Sequence, residues 1–389
     1  MTDGPRDPRE ADPLLALVRP EIRAIRAYKT PRDPLPIKLD ANESPFALPD
    51  SVMRELAVQV RGLPLQRYPD LEVRALKNAL AGWLGTEPSR LVIGVGSDES
   101  IGVLLTAIAR PRAPKAPVIV VPDPTFVMYA QTARVLGLEP VSVPLSGPDF
   151  ALDVPATIAS IQRHEAALVF LASPNNPTGV AYADDDLLAI AHACPTTMIV
   201  IDEAYGAFRE SAEGARLHRE ALGDRAPNLV FLGTLSKIGL ASLRIGWIEA
   251  SPALAHELDK VRLPYDMPGP TQALGAEVLT THRAALEAQI AAIVSERDRV
   301  GHALAALHAS GGPLRPVPTR ANFFLCEAAS AELAKEVHTH LARAGIQVRA
   351  FSSAPLERHV RITTGRPEEN DALLAALATL AAARSTGAA

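Results

Sequence analysis

Six short apolar runs punctuate the middle of this chain, and each leads into polar or aromatic residues. They are LVIGVG (91–96), VIVVPD (118–123), LVFLAS (168–173), MIVIDEAY (198–205), LVFLGTL (229–235) and LRIGWIEA (243–250). Several are continuous strings of Val, Ile and Leu, with no polar alternation. A strand with apolar residues on both sides is covered on both sides, as in a mostly parallel sheet flanked by helices. Between the runs, apolar residues recur at helical spacing, as in Ile101, Leu104, Leu105 and Ile108. Run and helix alternate over residues 50–265, which predicts an α/β domain with a doubly wound sheet.

The flanks read differently. Residues 1–13 have the Pro, Asp and Arg content of a disordered tail. Residues 14–49 read as a short helix followed by a proline-bearing arm draped over a surface. PYDMPGP (264–270) reads as a hinge. Beyond it, an alanine-rich helix over 270–310, strand-like ANFFLCE (321–327), a helix over 330–344, GIQVRAF (345–351), HVRITTG (359–365) and a final helix predict a smaller α+β C-terminal domain over 266–389. No apolar run reaches the roughly 18–20 residues of a membrane span, and the polar N-terminus has no apolar core of a signal peptide. A net charge of −5 gives no basic footprint for nucleic acid. Cys194 and Cys326 lack zinc-type spacing and read as free core thiols of a cytoplasmic protein.

Open α/β sheets bind ligands beyond the carboxyl ends of their strands. Five runs deliver Ser97 and Asp98, Thr125 and Phe126, the loop SPNNPTG, Asp202 with Glu203 and Tyr205, and Ser236 with Lys237 to that edge. Such convergence predicts a large ligand site. The segment GVGSD (94–98) suits either a phosphate cradle at a helix N-terminus or a plain helix cap, with Asp98 capping backbone amides. It lacks the third glycine of a dinucleotide fingerprint and the GK[ST] of a P-loop. Only seven of the 39 basic residues are lysine, so Lys237 in TLSKIGLASLRIGW (234–247) stands out. It is either a snorkelling surface lysine or a desolvated amine able to form a Schiff base, with Arg244 as fixed charge for a phosphate. Asp202 reads as a cap or as the partner of a protonated ring nitrogen. No cluster with ligand spacing accompanies it, so no metal is expected.

Together these residues resemble the fold-type I pyridoxal-phosphate aminotransferases, over residues 20 to 380. SPNNPTG (173–179), DEAY (202–205) and SKIGLASLRIG (236–246) carry the resemblance. IKLDANESPF (37–46), RYPD (67–70), GSDE (96–99), PTFVMY (124–129) and ANFFL (321–325) are similar to the histidinol-phosphate aminotransferase branch. The resemblance implies pyridoxal 5'-phosphate as cofactor and Lys237 as the Schiff-base lysine and proton shuttle. It implies Asp202 at the ring nitrogen, Asn176 and Tyr205 at the ring oxygen, and Phe126 stacked on the ring. Ser97, Asp98, Ser236 and Arg244 would hold the phosphate. Tyr68 would reach that phosphate from a partner subunit, which implies a homodimer with shared active sites.

For the substrate, the resemblance points to Arg361, Arg349, Tyr28 and Asn42, with Asn176 beside them. Two arginines and a phenol suit a phosphate dianion, although Arg349 also reads as a surface ion pair. The reaction implied is transamination between L-histidinol phosphate and 2-oxoglutarate, in histidine biosynthesis. An aromatic or broad-specificity aminotransferase and a decarboxylase of a phosphorylated amino acid are the alternatives. Three departures from the family pattern stand out. Lys237 and Arg244 are seven residues apart where eight is common, Phe126 stands where tyrosine is common, and Tyr265-Asp266 where Tyr-Asn is frequent.

Overall fold

The computed structural model describes residues 13–25, 35–110, 115–209 and 217–387. The strands in chain order are β1 (Ile37–Leu39), β2 (Leu91–Val95), β3 (Val118–Asp123), β4 (Glu139–Pro144), β5 (Leu168–Ala172), β6 (Met198–Asp202), β7 (Leu229–Thr234), β8 (Ile245–Glu249), β9 (Arg315–Pro316), β10 (Phe323–Glu327), β11 (Ile346–Ala350) and β12 (His359–Thr363). They form a seven-stranded sheet of order β2-β8-β7-β6-β5-β3-β4 and a five-stranded sheet of order β1-β11-β12-β10-β9.

In the larger sheet β4, β3, β5, β6 and β7 run parallel, and β8 is antiparallel to both β7 and β2. Alternate residues feed two cores. Ile119, Phe170, Val200, Val230 and Ile248 pack on one face. Val120, Val169, Leu171, Ile201 and Phe231 pack on the other. This is why the runs carry no polar alternation. Among the described residues, no helix is long and apolar enough to cross a membrane.

Three elements depart from the sequence reading. The strand β4, EPVSVP, carries Pro140 and Pro144 and was not expected. It is the edge strand, where a missing N–H is tolerated. The single helix expected over 270–310 is two helices, Gly269–Thr280 and Arg283–Ala309. Alanine favours helix throughout, but Thr280, Thr281 and His282 are weaker formers, and the Thr280 hydroxyl bonds back to the Ala276 carbonyl at 2.8 Å. The arm expected to drape over a surface instead supplies β1, which pairs in parallel with β11, Ile37 opposite Ile346. The tail expected over 1–13 lies outside the described residues except for Pro13.

The close approach of β7 to β8 generates a test. A Cβ on Gly233 would sit 2.1 Å from the ring of Trp247, which is buried edge-on against Trp83 at 6.1 Å. Gly233→Ala must move that indole. The expected cost is about 1–3 kcal/mol, read as a lowered thermal midpoint; an unchanged midpoint would show that Trp247 is free to shift.

Candidate active site

The strands β5 and β6 end level, Ala172 opposite Asp202, and β7 runs two residues past Leu232, which lies opposite Asp202. The backbone continues the alignment one residue further, Ser173 N–H to Asp202 carbonyl at 2.9 Å. Asp202 is buried. Its Oδ1 accepts the Ala204 N–H at 2.9 Å, and its Oδ2 accepts the Tyr129 hydroxyl at 2.6 Å. Burial holds the Asp202 carboxyl above its ordinary range, against the opposing pull of those two donors. The same burial, with the carboxylate beside it, raises the Tyr129 phenol well above its usual value, so it stays a donor.

Tyr129 is a residue the sequence reading passed over. It lies on the helix Met128–Val135, stacked on Phe170 at 4.4 Å and edge-on to Phe126 at 5.6 Å. No short-range pattern marks it, since its partner Asp202 lies 73 residues on in the chain. Phe126 itself is half-buried above the strand ends.

The GVGSD segment, with Ser236 and Arg244, builds an anion cradle. Gly96 caps the helix Ser97–Ile108 without any side-chain bond, which leaves the first-turn N–H groups open. Arg244, in the left-handed region at φ 53°, lays its guanidinium across Gly96. A Cβ there would meet Nη2 at 2.5 Å. The same guanidinium donates to Ser236 Oγ at 3.3 Å and faces Asp98 at 3.6 Å. Asp98 therefore does not cap backbone amides as expected. The adjacent Glu99 carboxylate accepts the Val95 N–H instead, which leaves Asp98 half-exposed as a counterion to Arg244.

Lys237 follows β7 in a wide turn, Ser236–Leu240, opened by Gly239 at φ 108°. Its ammonium lies 5.7 Å from the centroid of the Tyr205 ring. Asn42, expected to touch substrate, is buried and donates its amide to the Tyr205 hydroxyl at 2.9 Å. Its own position is fixed by Thr363 and Asn322.

Asn176 Oδ1 accepts from Arg361 Nη1 at 2.6 Å, and Arg361 Nη2 donates to the Asp40 carbonyl at 2.7 Å. The guanidinium also lies over the Phe323 ring at 5.4 Å. Arg349 on β11 is exposed and stands opposite Arg361 in the antiparallel register. Tyr68 is 82% exposed and stacked on Tyr265 at 4.7 Å, about the rim of this chain. Tyr28 lies outside the described residues. The amine of Lys237, the carboxylate of Asp202, the phenol of Tyr205 and the anion cradle thus share one end of the larger sheet, while Arg361 reaches the same place from the smaller one.

A family model for class I and II aminotransferases matches residues 35–377. The chain belongs to this family. It is 40% identical over 364 residues to the histidinol-phosphate aminotransferase of Chromobacterium violaceum, which covers 93% of this chain and 97% of the relative. It is 38% identical over 364 residues to histidinol-phosphate aminotransferase 1 of Burkholderia lata, covering 93% and 97%. The crystal structure of histidinol-phosphate aminotransferase from Sinorhizobium meliloti in complex with pyridoxal-5'-phosphate matches with a TM-score of 0.81 at 29% identity, covering 94% of this chain and 98% of that one. L-threonine-O-3-phosphate decarboxylase from Porphyromonas gingivalis shares the fold, with a TM-score of 0.72 at 20% identity over 88% of this chain and 99% of that one. The α/β architecture with its mostly parallel seven-stranded sheet is that of the fold-type I aminotransferases.

Glu203, next to Asp202, yields a pH test. Burial pushes its carboxyl up to about 8, from 4.5 in the unfolded chain. Across that window the folded protein holds a proton that the unfolded chain has released. Its stability therefore falls as pH rises from about 4.5 to about 8. One oxygen, Oε1, accepts from both His218 N–H and Arg219 N–H, so Glu203→Gln keeps the acceptor and removes the titration. Thermal midpoints from pH 5 to 8 should show the wild type losing ground to the variant as pH rises; parallel curves would mean that Glu203 is ionised when folded.

Proposed function

We propose that this aminotransferase moves the amino group of L-histidinol phosphate onto 2-oxoglutarate, giving imidazole-acetol phosphate and L-glutamate, with pyridoxal 5'-phosphate as its cofactor. The observation that carries the substrate is the pair Arg349 and Arg361, opposite one another on β11 and β12. Like charges directly opposite on antiparallel strands repel. A phosphate dianion between them turns that repulsion into two charge-assisted contacts, and planar guanidinium forks match its oxygens. Arg361 alone then serves the carboxylate of glutamate in the other half-reaction. The names of the relatives support the same substrate.

The donor set fits a phosphorylated pyridine. When bound, the cofactor supplies a carbonyl that takes up the amino group and a ring that draws electrons from the substrate Cα. Arg244, Ser236, Ser97 and the open first turn after Gly96 hold its phosphate, and Asp98 steadies Arg244. Asp202, oriented by Tyr129 and Ala204, keeps the ring nitrogen protonated. Asn176 and Tyr205 bond the ring oxygen, and Asn42 aims the phenol. Phe126 covers the ring face. Lys237 anchors the cofactor and moves the proton at the substrate Cα. Tyr28 is assigned to the substrate.

We further assign a homodimer with shared sites. Met53, Val58, Leu65, Tyr68, Leu71, Leu263 and Tyr265 are exposed large apolar or aromatic side chains on two neighbouring segments. Gln272, on the helix that follows 263–265, bonds the Asp70 carbonyl at 3.0 Å and so ties the two together. These exposed side chains support an interface on this side, on which Tyr68 would reach the partner's cradle. The buried thiols Cys194 and Cys326 suit a reducing cytoplasm. Residues 50–265 and 266–389 are taken as the larger and smaller units, with 14–49 joining them.

A spectrum tests the reading. The protein loaded with pyridoxal 5'-phosphate should show a visible band that L-histidinol phosphate bleaches without any oxo acid and that 2-oxoglutarate restores. A band that ignores histidinol phosphate but bleaches with phenylalanine would keep the class and overturn the substrate. Lys237→Ala should lose turnover by at least about 10²–10⁴-fold, the contribution of a positioned acid–base group; near-wild-type turnover would remove Lys237 from its role.

A further inference from the structure

A second chain of polar side chains runs beneath the site, and the reaction makes no direct use of it. Ser173, the first residue after β5, and His218 are both buried with no exposed surface. Ser173 Oγ accepts the Tyr182 N–H at 2.8 Å and lies 2.7 Å from His218 Nε2. The other ring nitrogen, Nδ1, bonds Asp184 Oδ1. Arg209 donates to both Asp184 oxygens at 3.0 Å. Asp184, paired with Arg209, only accepts, so Nδ1 carries a proton toward it; with burial disfavouring a second ring proton, Nε2 is left to accept the Ser173 hydroxyl. The imidazole is therefore neutral, and burial lowers its basicity in the same sense.

The order serine, histidine, aspartate is that of a nucleophilic relay, but no substrate can reach a hydroxyl with no exposed surface. What remains is position. Ser173 begins the loop SPNNPTG. Inside this loop Asn175 is pinned by the Pro124 carbonyl, Thr178 and Thr125, and its N–H bonds the Val180 carbonyl at 2.8 Å. Asn176 is left facing Arg361. The helix that carries His218, His218–Leu222, is held at its start by Glu203, the neighbour of Asp202. The entry of the loop and the end of β6 are thus tied to one short helix.

We propose that His218 is a positioning residue: through Ser173 it fixes the entry of the SPNNPTG loop and so the placement of Asn176 beside Arg361 and the cofactor. The part of this concerning the cofactor rests on the function proposed above, whereas the part concerning the loop does not.

Amide hydrogen exchange on the cofactor-free protein reads the loop directly. In His218→Leu, exchange at Asn175 and Gly179 should quicken by roughly tenfold, the scale of one lost buried hydrogen bond, while Val169 to Leu171 in β5 stay protected. The half-saturation concentration for pyridoxal 5'-phosphate should rise by a similar factor. His218→Gln, whose amide reaches Ser173, should restore loop protection; His218→Asn, long enough only for Asp184, should not. Ser173→Ala deletes a single oxygen and repeats the test should His218→Leu fail to fold. Wild-type exchange at Asn175 and Gly179 in Ser173→Ala overturns the proposal, as does equal loss of protection in β5 and the loop. Failure of pyridoxal 5'-phosphate to bind the wild type would count against the proposed function and leave the exchange result standing.

Discussion

Everything at this site is arranged around a carboxylate kept out of water. Asp202 ends a strand covered on both faces, so its charge has no solvent to lean on. Among the described residues, its hydrogen-bond donors are the Tyr129 hydroxyl and the Ala204 N–H. That deficit has a direction. A cationic ring nitrogen brought against the carboxylate would relieve it, and the same burial makes the attraction strong. The neighbours are subordinate to this one placement. Ser173 pairs its backbone with that of Asp202, Tyr129 is stacked into the core on Phe170, and Glu203 holds the next helix.

The SPNNPTG loop does a second job, since it joins the two sheets. Its Asn176 takes a hydrogen bond from Arg361 of β12. Its Gly179 lies so close to Thr319 that a Cβ would meet that hydroxyl at 2.3 Å, and its carbonyl accepts the Arg320 N–H at 2.8 Å. Residues 319 and 320 lead directly into β10. A displacement of the smaller sheet therefore pulls on this loop, which links Arg361 mechanically to the carboxyl ends of the larger sheet.

Much of this was legible from residues alone. The continuous apolar runs announced strands buried on both faces, and the polar residues beyond them marked the site, because strand direction and strand ends are local properties. Lys237 stood out by residue type, Asp202 and Tyr205 by their place beyond a buried strand, and Arg244 by its spacing from Lys237. The misses share a cause. Tyr129, His218 and Asp184 act through partners 73, 45 and 34 residues away in sequence, and no spacing rule reaches that far. Asp98 and Glu99 are chemically alike and adjacent, so which one caps and which one faces Arg244 is decided by backbone geometry. Asn42, which the resemblance placed at the substrate, is buried and lends its amide to Tyr205. The edge strand β4 was hidden by its two prolines, and the break near Thr281 by the surrounding alanines.

The pairing of β1 with β11 bears on how the molecule is made. Gln347, on β11, bonds both the Leu35 N–H and the Asp40 carboxylate, the latter across 307 positions of chain. The strand β1 can find its place only once β11, made much later, exists. Loop closure over such a span carries its entropic cost before any contact rewards it. Asp40 and Asn42 follow directly on β1, and with them come the carbonyl that steadies Arg361 and the amide that aims Tyr205. The wall of the site built from Asp40 and Asn42 therefore waits for β11, across those 307 positions. A nascent chain that stops short of β11 leaves Asp40 and Asn42 without the strand that places them.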